Sequence, residues 1–390
     1  MINYPQSDLL KSLPKQFFAS LVSKVGKKFE QGYDVINLGQ GNPDQPTPVH
    51  IVKRLQSASE KPINHKYSPF QGFSYLKKAA AEFYKREYNV DIDPETEVAI
   101  LFGGKAGLVE IPQCLLNPGD SVLVPDPGYP DYWSGVALAK AEMVMMPLRE
   151  KNSFLPDYSE LTNEQLDGAK IMFLNYPNNP TGAVANEEFF KETAEVGRKH
   201  GICIVHDFAY GGIGFDGKKP ISFMQTDGAK DIGIEIYTLS KTYNMAGWRI
   251  GFAVGNASVI SALNLFQDHL YVSLFGAVQE AAEAALTESQ ECVKELNALY
   301  ENRRNALITG LQEIGWNVQA PDGSFFAWLK VPEGYSSEEF ADLLLEKAHI
   351  AVAPGIGFGN HGEGYVRVGL LTSEERLKEA VERIQKLNLF

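Results

Sequence analysis

The sequence predicts an α/β fold, in which a mainly parallel sheet is covered by helices on both faces and followed by a smaller α+β unit. Three observations carry this. Between about residues 97 and 255, short apolar runs alternate with helical stretches of about ten to fifteen residues, the pattern of crossover units. The runs are continuously apolar, as strands are when helices cover both faces. From about 257 the pattern turns helical to about 312, and further strands come only after that.

The first forty-odd residues are Pro-rich and end in GNPDQPTP, an extended segment. Residues 97–102 (EVAILF) read as a buried strand and 105–116 as a helix, with the turn NPGD after it. Strands follow at 121–125, 142–147, 170–176, 201–207, 233–240 and 249–255, with helices at 131–140 and 186–199 between them. After the helical stretch come a strand at 325–331, a helix near 337–348, and strands at 349–355 and 364–371. A last helix runs from 373, and Thr372 with Glu375 fits a capping box at its start.

Composition narrows the function. The chain has 390 residues, roughly two or three domains' worth. Hydrophobic residues make up 44% and charged ones 22%, which excludes a largely disordered chain. A formal net charge of −13 argues against a general nucleic-acid binder, which shows a basic face. It leaves room for a local basic pocket. Cys114, Cys203 and Cys292 are far apart in apolar company and read as buried, reduced thiols. No metal-ligand spacing such as CxxC or HExxH occurs, so no metal is expected. The start lacks the basic-then-apolar pattern of a signal peptide, and no run approaches the length of a membrane span. A cytoplasmic protein without membrane partners is expected.

In sheets of this kind ligands sit beyond the carboxyl ends of the strands. Four segments at such ends carry polar groups. FGGKAG (102–107) is a Gly-rich turn opening a helix, where free N–H groups can bind phosphate. It is not a P-loop, because Ala99 stands where the first Gly belongs and Ala106 where Ser or Thr is required. GQGNPD (39–44) likewise fails the dinucleotide fingerprint at Asp44, which weakens a nicotinamide dehydrogenase. NYPNNPTG (175–182) taken alone is an ordinary strand-to-helix loop, and Asp207 in VHDFAYGG (205–212) an ordinary cap. TLSKTYNMAGWRIG (238–251) puts Lys241 after an apolar strand and Arg249 eight residues on. A lysine drawn into the protein loses proton affinity and becomes a nucleophile.

In this order the four segments resemble the class-I, fold-type-I aminotransferases that use pyridoxal 5'-phosphate, and the likeness runs from INLGQGNPD to GYVRVGLL. It implies a large cofactor-binding domain over 46–284 and a small α+β domain over 285–390, which residues 1–45 join. It also implies roles. Lys241 is joined to the cofactor aldehyde and then moves a proton at the substrate Cα. Asp207 pairs with the ring nitrogen, staying ionised beside that cation. Tyr210 and Asn179 hydrogen-bond the ring's O3′, and Tyr129 stacks on the ring. The phosphate falls to the N–H groups of Gly104 and Lys105, the hydroxyls of Thr238 and Ser240, and the guanidinium of Arg249. Lys105 departs from the small polar residue usual there, and its side chain either reaches the phosphate or points to solvent. Tyr67 matches a tyrosine that reaches the neighbouring subunit's phosphate, which implies a homodimer with shared sites. Arg367, in YVRVG, matches the cation for the substrate carboxylate, and Gly41 a glycine that closes over the substrate.

The implied reaction moves an amino group from an amino-acid donor, with glutamine or glutamate as candidates, to a 2-oxo acid. Dicarboxylate-specific relatives carry a second arginine in the segment matching 264–280, and here that segment has none. With Phe17, Phe18 and the two phenylalanines of GSFFAWL (323–329) nearby, an apolar, thioether-sized side chain fits better than aspartate. An aminotransferase for other apolar or aromatic amino acids and a cysteine-conjugate C–S lyase share the same motifs and stay open. A cofactor-sensing DNA-binding regulator on this fold is not expected, since the family pattern starts within the first forty residues of an acidic chain.

Overall fold

The computed structural model describes residues 2–14 and 17–390. Strands are numbered in chain order. A seven-stranded sheet contains β2 (Val98–Leu101), β3 (Ser121–Asp126), β4 (Glu142–Pro147), β5 (Ala169–Leu174), β6 (Cys203–Asp207), β7 (Gly233–Thr238) and β8 (Gly251–Gly255), in the order β2-β8-β7-β6-β5-β3-β4. Strands β3 to β7 pair in parallel, whereas β8 runs against both β2 and β7. The sheet is therefore mainly parallel, and the chain has the fold-type-I α/β architecture. Because β8 is reversed, its entry lies beside the exit of β7, so Thr238 pairs with Gly251 and the intervening loop stays at the carboxyl edge.

Side-chain alternation divides each strand between two cores. On β6, Ile204 packs with Phe190 under helices Ser74–Tyr88, Glu187–His200 and Gly276–Thr287. Its neighbour Val205 packs on the opposite face with Leu108, Tyr132 and Leu263, from helices Gly104–Leu115, Asp131–Leu138 and Ala257–Leu270. The same alternation points Asp207 to the Tyr132 side.

A third core gathers Ile36 and Leu38 with helix Glu291–Glu313, Phe325, Phe326, Phe340 and helix Glu374–Gln385. Here β9 (Phe326–Lys330), β11 (Ala353–Pro354) and β12 (Tyr365–Gly369) form an antiparallel sheet in the order β11-β12-β9. The N-terminal strand β1 (Ile36–Asn37) pairs in parallel with β10 (Ile350–Ala351). The strand expected over 349–355 is thus two, because Ile350–Ala351 bonds to β1 while Ala353–Pro354 turns to β12.

The helical stretch from 257 consists of helices Ala257–Leu270, Gly276–Thr287 and Glu291–Glu313. Three further expectations are corrected. The helix expected over 337–348 is α-helical only to Leu343, and Leu344–Ala348 form a π-helical turn. The last helix has no Thr372–Glu375 capping box. Ser373 is the N-cap, its hydroxyl accepting the Arg376 N–H at 3.3 Å, and the third helical residue is then Arg376, which has no carboxylate to reach back. The three cysteines are free but half-buried rather than buried, and burial lifts the Cys114 and Cys203 thiols to about 12. Among the described residues, no helix is long and apolar enough to cross a membrane, and no acidic, His or Cys cluster has metal-site geometry.

Candidate active site

A cavity of about 530 Å³ opens at the carboxyl edge of the large sheet, under the third core. Every residue given a site role in the sequence lines it except two: Tyr67, which is 90% exposed elsewhere on the surface, and Phe325, which is buried in the third core behind Lys241. The elements explain the convergence. Asp207 ends β6, Thr238 ends β7, Asn175 follows β5, Gly103 follows β2 and Arg249 precedes the reversed β8.

Thr238 caps the short helix Leu239–Thr242, its hydroxyl accepting the Ser240 N–H, which turns Lys241 into the cavity. Lys241 Nζ donates to the carbonyl of Gly41 at 3.1 Å and lies 5.3 Å from the Phe325 ring. Burial lowers its pKa to about 8. Arg367 and Arg249 push the same way, and Asp207 opposes them. The amine is therefore available to act as a nucleophile near neutral pH.

Asp207 is 5% exposed and accepts the Tyr132 hydroxyl at 2.8 Å. Tyr132 is itself fixed by stacking on Phe173 with centroids 4.9 Å apart. Burial raises Asp207 to about 6, against the Tyr132 hydrogen bond and the fields of His206 and Lys241. A carboxylate held in so dry a place favours a cation placed against it. Tyr132 and Asn175 were missed in sequence. Asn175 donates to the Asp207 carbonyl at 2.7 Å and accepts the Asn179 N–H at 2.7 Å, tying the two loops together. Tyr132 carried a signal, standing three residues after Tyr129 in PGYPDYW.

At the opposite wall, Gly103 (φ 81°) precedes helix Gly104–Leu115, whose first residues, Gly104 and Lys105, line the cavity. At this φ a side chain would strain the backbone, and its Cβ, 2.7 Å from Arg249 Nη2, would displace the guanidinium. Thr238 and Ser240 hydroxyls meet at 2.9 Å beside it. Lys105 lines the cavity, and its Nζ pairs with Asp131 at 2.9 Å while the side chain stays half-exposed. Tyr129 stands edge-on to Tyr132 with centroids 5.7 Å apart, and Tyr210 edge-on to Phe325 at 5.2 Å.

Arg367, on β12, closes the far end. It donates to Asn179 Oδ1 at 2.9 Å and to the Gly39 carbonyl at 3.0 Å, and it lies between the rings of Phe326 (4.0 Å) and Phe358 (4.7 Å). Burial brings it down to about 10, and its Nε has no partner among the described residues. A Cβ at Gly41 would approach Phe326 at 3.3 Å and Arg367 Nη2 at 3.8 Å. The mouth is apolar, with Phe17, Phe18, Leu21 and Val22 along it. Arg249 and Arg367 are the arginines lining the cavity among the described residues.

These residues fit a flat, doubly charged aldehyde. The Gly103 cradle beside Arg249 suits a phosphate, the buried carboxylate suits a ring cation, and the amine lies within the same cavity.

A family model described as aminotransferase class I and II matches residues 33–384, and the chain belongs to that family. It is a pyridoxal-phosphate-dependent transaminase, acting on amino acids and 2-oxo acids. Over 389 residues, all of this chain and 98% of the relative, it is 72% identical to the L-glutamine–4-(methylsulfanyl)-2-oxobutanoate aminotransferase of Bacillus subtilis (strain 168). It is 44% identical to the LL-diaminopimelate aminotransferase of Moorella thermoacetica over 97% of both chains. The substrate-bound structure of BacF from Bacillus subtilis superposes with a TM-score of 0.95 at 50% identity, covering 100% of this chain and 98% of that one.

Proposed function

We propose that the enzyme transfers the amino group of glutamine to 4-methylthio-2-oxobutanoate, giving methionine as the last step of methionine salvage in the cytoplasm. One observation carries this reading: the chain is 72% identical, over its whole length, to a relative named for that reaction. The cavity supports it. Arg249 lies at the phosphate cradle, which leaves Arg367 alone for one carboxylate, and the mouth offers phenylalanine and aliphatic side chains to a thioether.

The residue roles belong to the same proposal. The lobe of residues 46–284 holds the cofactor, and residues 285–390 with 1–45 close over it. Gly104 and Lys105 N–H groups, Thr238, Ser240 and Arg249 hold its phosphate, and Asp207 holds its ring nitrogen. Tyr129 stacks on the ring. Tyr210 and the free amide of Asn179 donate to O3′, since the Asn179 oxygen is already engaged by Arg367. Bound there, pyridoxal phosphate supplies a reactive carbonyl and a positively charged ring that withdraws electrons from the substrate Cα. Lys241 Nζ takes the Cα proton, for which its lowered pKa fits it. Arg367 grips the substrate carboxylate with both arms, Gly41 covers it, and the aromatic mouth excludes water. Tyr67 serves the cavity of a second copy, which makes the working unit a homodimer.

The test is a half-reaction screen of the loaded enzyme. Glutamine should convert it to the aminated form, 4-methylthio-2-oxobutanoate should return it with methionine as product, and the preparation should sediment as a dimer. Release of pyruvate and ammonia from cysteine conjugates without amino transfer would overturn the proposal. Arg367→Ala should lower kcat/KM for glutamine by about 10²–10³-fold, the scale of a lost buried charge pair, with cofactor still bound stoichiometrically. Unchanged efficiency would put the carboxylate elsewhere.

A further inference from the structure

We infer that Asp126 and His361 form a clamp between the two lobes that positions the substrate-carboxylate end of the cavity. The inference rests on the reading of Arg367 as the carboxylate partner. Asp126 is the last residue of β3 and is 2% exposed. Its carboxylate accepts the backbone N–H of His361 at 3.0 Å and pairs with His361 Nδ1 at 2.9 Å. Two residues on, Gly128 N–H donates to the Phe358 carbonyl at 2.8 Å. Gly359, at φ 129°, lies so close that a Cβ there would overlap Asp126 Oδ1. The loop of residues 355–362 is thereby fastened to the turn that carries Tyr129.

The other side of this loop faces the substrate end. The Phe358 ring lies 4.7 Å from the Arg367 guanidinium carbon and 4.9 Å from the Phe18 ring. The backbone of Gly357 lies directly against Phe17. One buried carboxylate thus fixes a ring that flanks the carboxylate-binding arginine and two rings of the mouth. Asp126 and His361 do not themselves line the cavity, so they act through Phe358 as positioning residues. The phosphate cradle at Gly103 and the Asp207 carboxylate are held by other elements. Loosening the clamp should therefore weaken substrate binding and leave cofactor binding alone.

The test uses the loaded enzyme. His361→Ala removes the side-chain bond at a partly exposed position and keeps the backbone one, and Asp126→Ala removes both. We expect KM for glutamine and for the oxo acid to rise about fivefold in the first and tenfold or more in the second, the scale of one and two lost bonds to a buried acceptor. The value of kcat should stay within about twofold, with unchanged cofactor absorbance and cofactor dissociation constant. Asp126→Asn keeps one acceptor and should fall between wild type and Asp126→Ala. Unchanged KM in both alanine variants, while Arg367→Ala raises it, would overturn the clamp and leave the site reading intact. A common fall in kcat, cofactor affinity and melting temperature would reduce the contact to simple fold support and overturn it too. Unchanged KM in Arg367→Ala would remove both.

Discussion

Lys241→Ala is expected to slow transamination by about 10⁴-fold or more, because in the proposed reaction one amine supplies both the covalent attachment and the proton transfer at Cα. At a pKa of about 8, roughly one such amine in ten is neutral at pH 7, against about one in three thousand for an ordinary lysine. The lowered pKa arises from burial and from Arg367 and Arg249, which the substitution leaves in place. Lys241→Arg separates charge from reactivity, since a guanidinium keeps the charge but does not give up its proton. It should be as inactive as the alanine variant. Single-turnover rates, together with borohydride reduction and peptide mapping of the wild type, check both points. A label on another lysine, or a variant within about tenfold of wild type, would remove Lys241 from the reaction.

Asp207→Asn should act in opposite directions on function and on stability. In the loaded enzyme it replaces the charge proposed to hold the ring cation, and a fall of about 10³-fold in kcat is expected. In cofactor-free protein the native carboxyl titrates near 6, above its unfolded value of 3.8. Between those values the native state binds more protons than the unfolded one, so its stability falls as pH rises through this window. The cost is about 3 kcal/mol at pH 7, from two pKa units. The cofactor-free Asn variant, whose side-chain oxygen can still accept from Tyr132, should therefore be the more stable protein at pH 7.5. Its advantage should shrink as pH falls through 6 and vanish below about 4. Urea titrations at several pH values read this directly. Equal stability at pH 7.5 would mean that Asp207 bears no such penalty. A site whose acid is tolerable only once a cation arrives is a case of stability given up for activity.

The parts of the fold legible in sequence were those with local signals. The strands that carry Asp207 and Thr238 are continuous apolar runs, and the residues at their ends lie at one edge because crossover connections force it. Lys241 and Asp207 could be singled out because each follows such a run. Tyr132 was not, because an aromatic in a helix is ordinarily core, and it does pack on Phe173 while its hydroxyl reaches the acid. Asn175 was overlooked inside a loop rich in Asn and Pro, where local turn-making explains each residue. Asp126 and His361 are 235 positions apart, and nothing local couples them. The split of residues 349–355 into β10 and β11 follows from a change of partner, which periodicity does not encode. The misplaced cap at Thr372 was an error of a single residue, the usual precision of a helix boundary.

The parallel pairing of β1 with β10 sets a schedule for biosynthesis. Helix Phe18–Glu30, which carries Phe18 at the mouth, is fastened by Lys24 to Asp342, a residue translated 318 positions later. At about 5–20 residues per second, a ribosome takes roughly 15–60 s to bring the two together. Throughout that interval the amino-terminal helix of the nascent chain has an apolar flank and no place to dock. The last hundred residues thus supply both the surface on which that helix packs and the wall that makes the edge of the large sheet an enclosed reaction chamber.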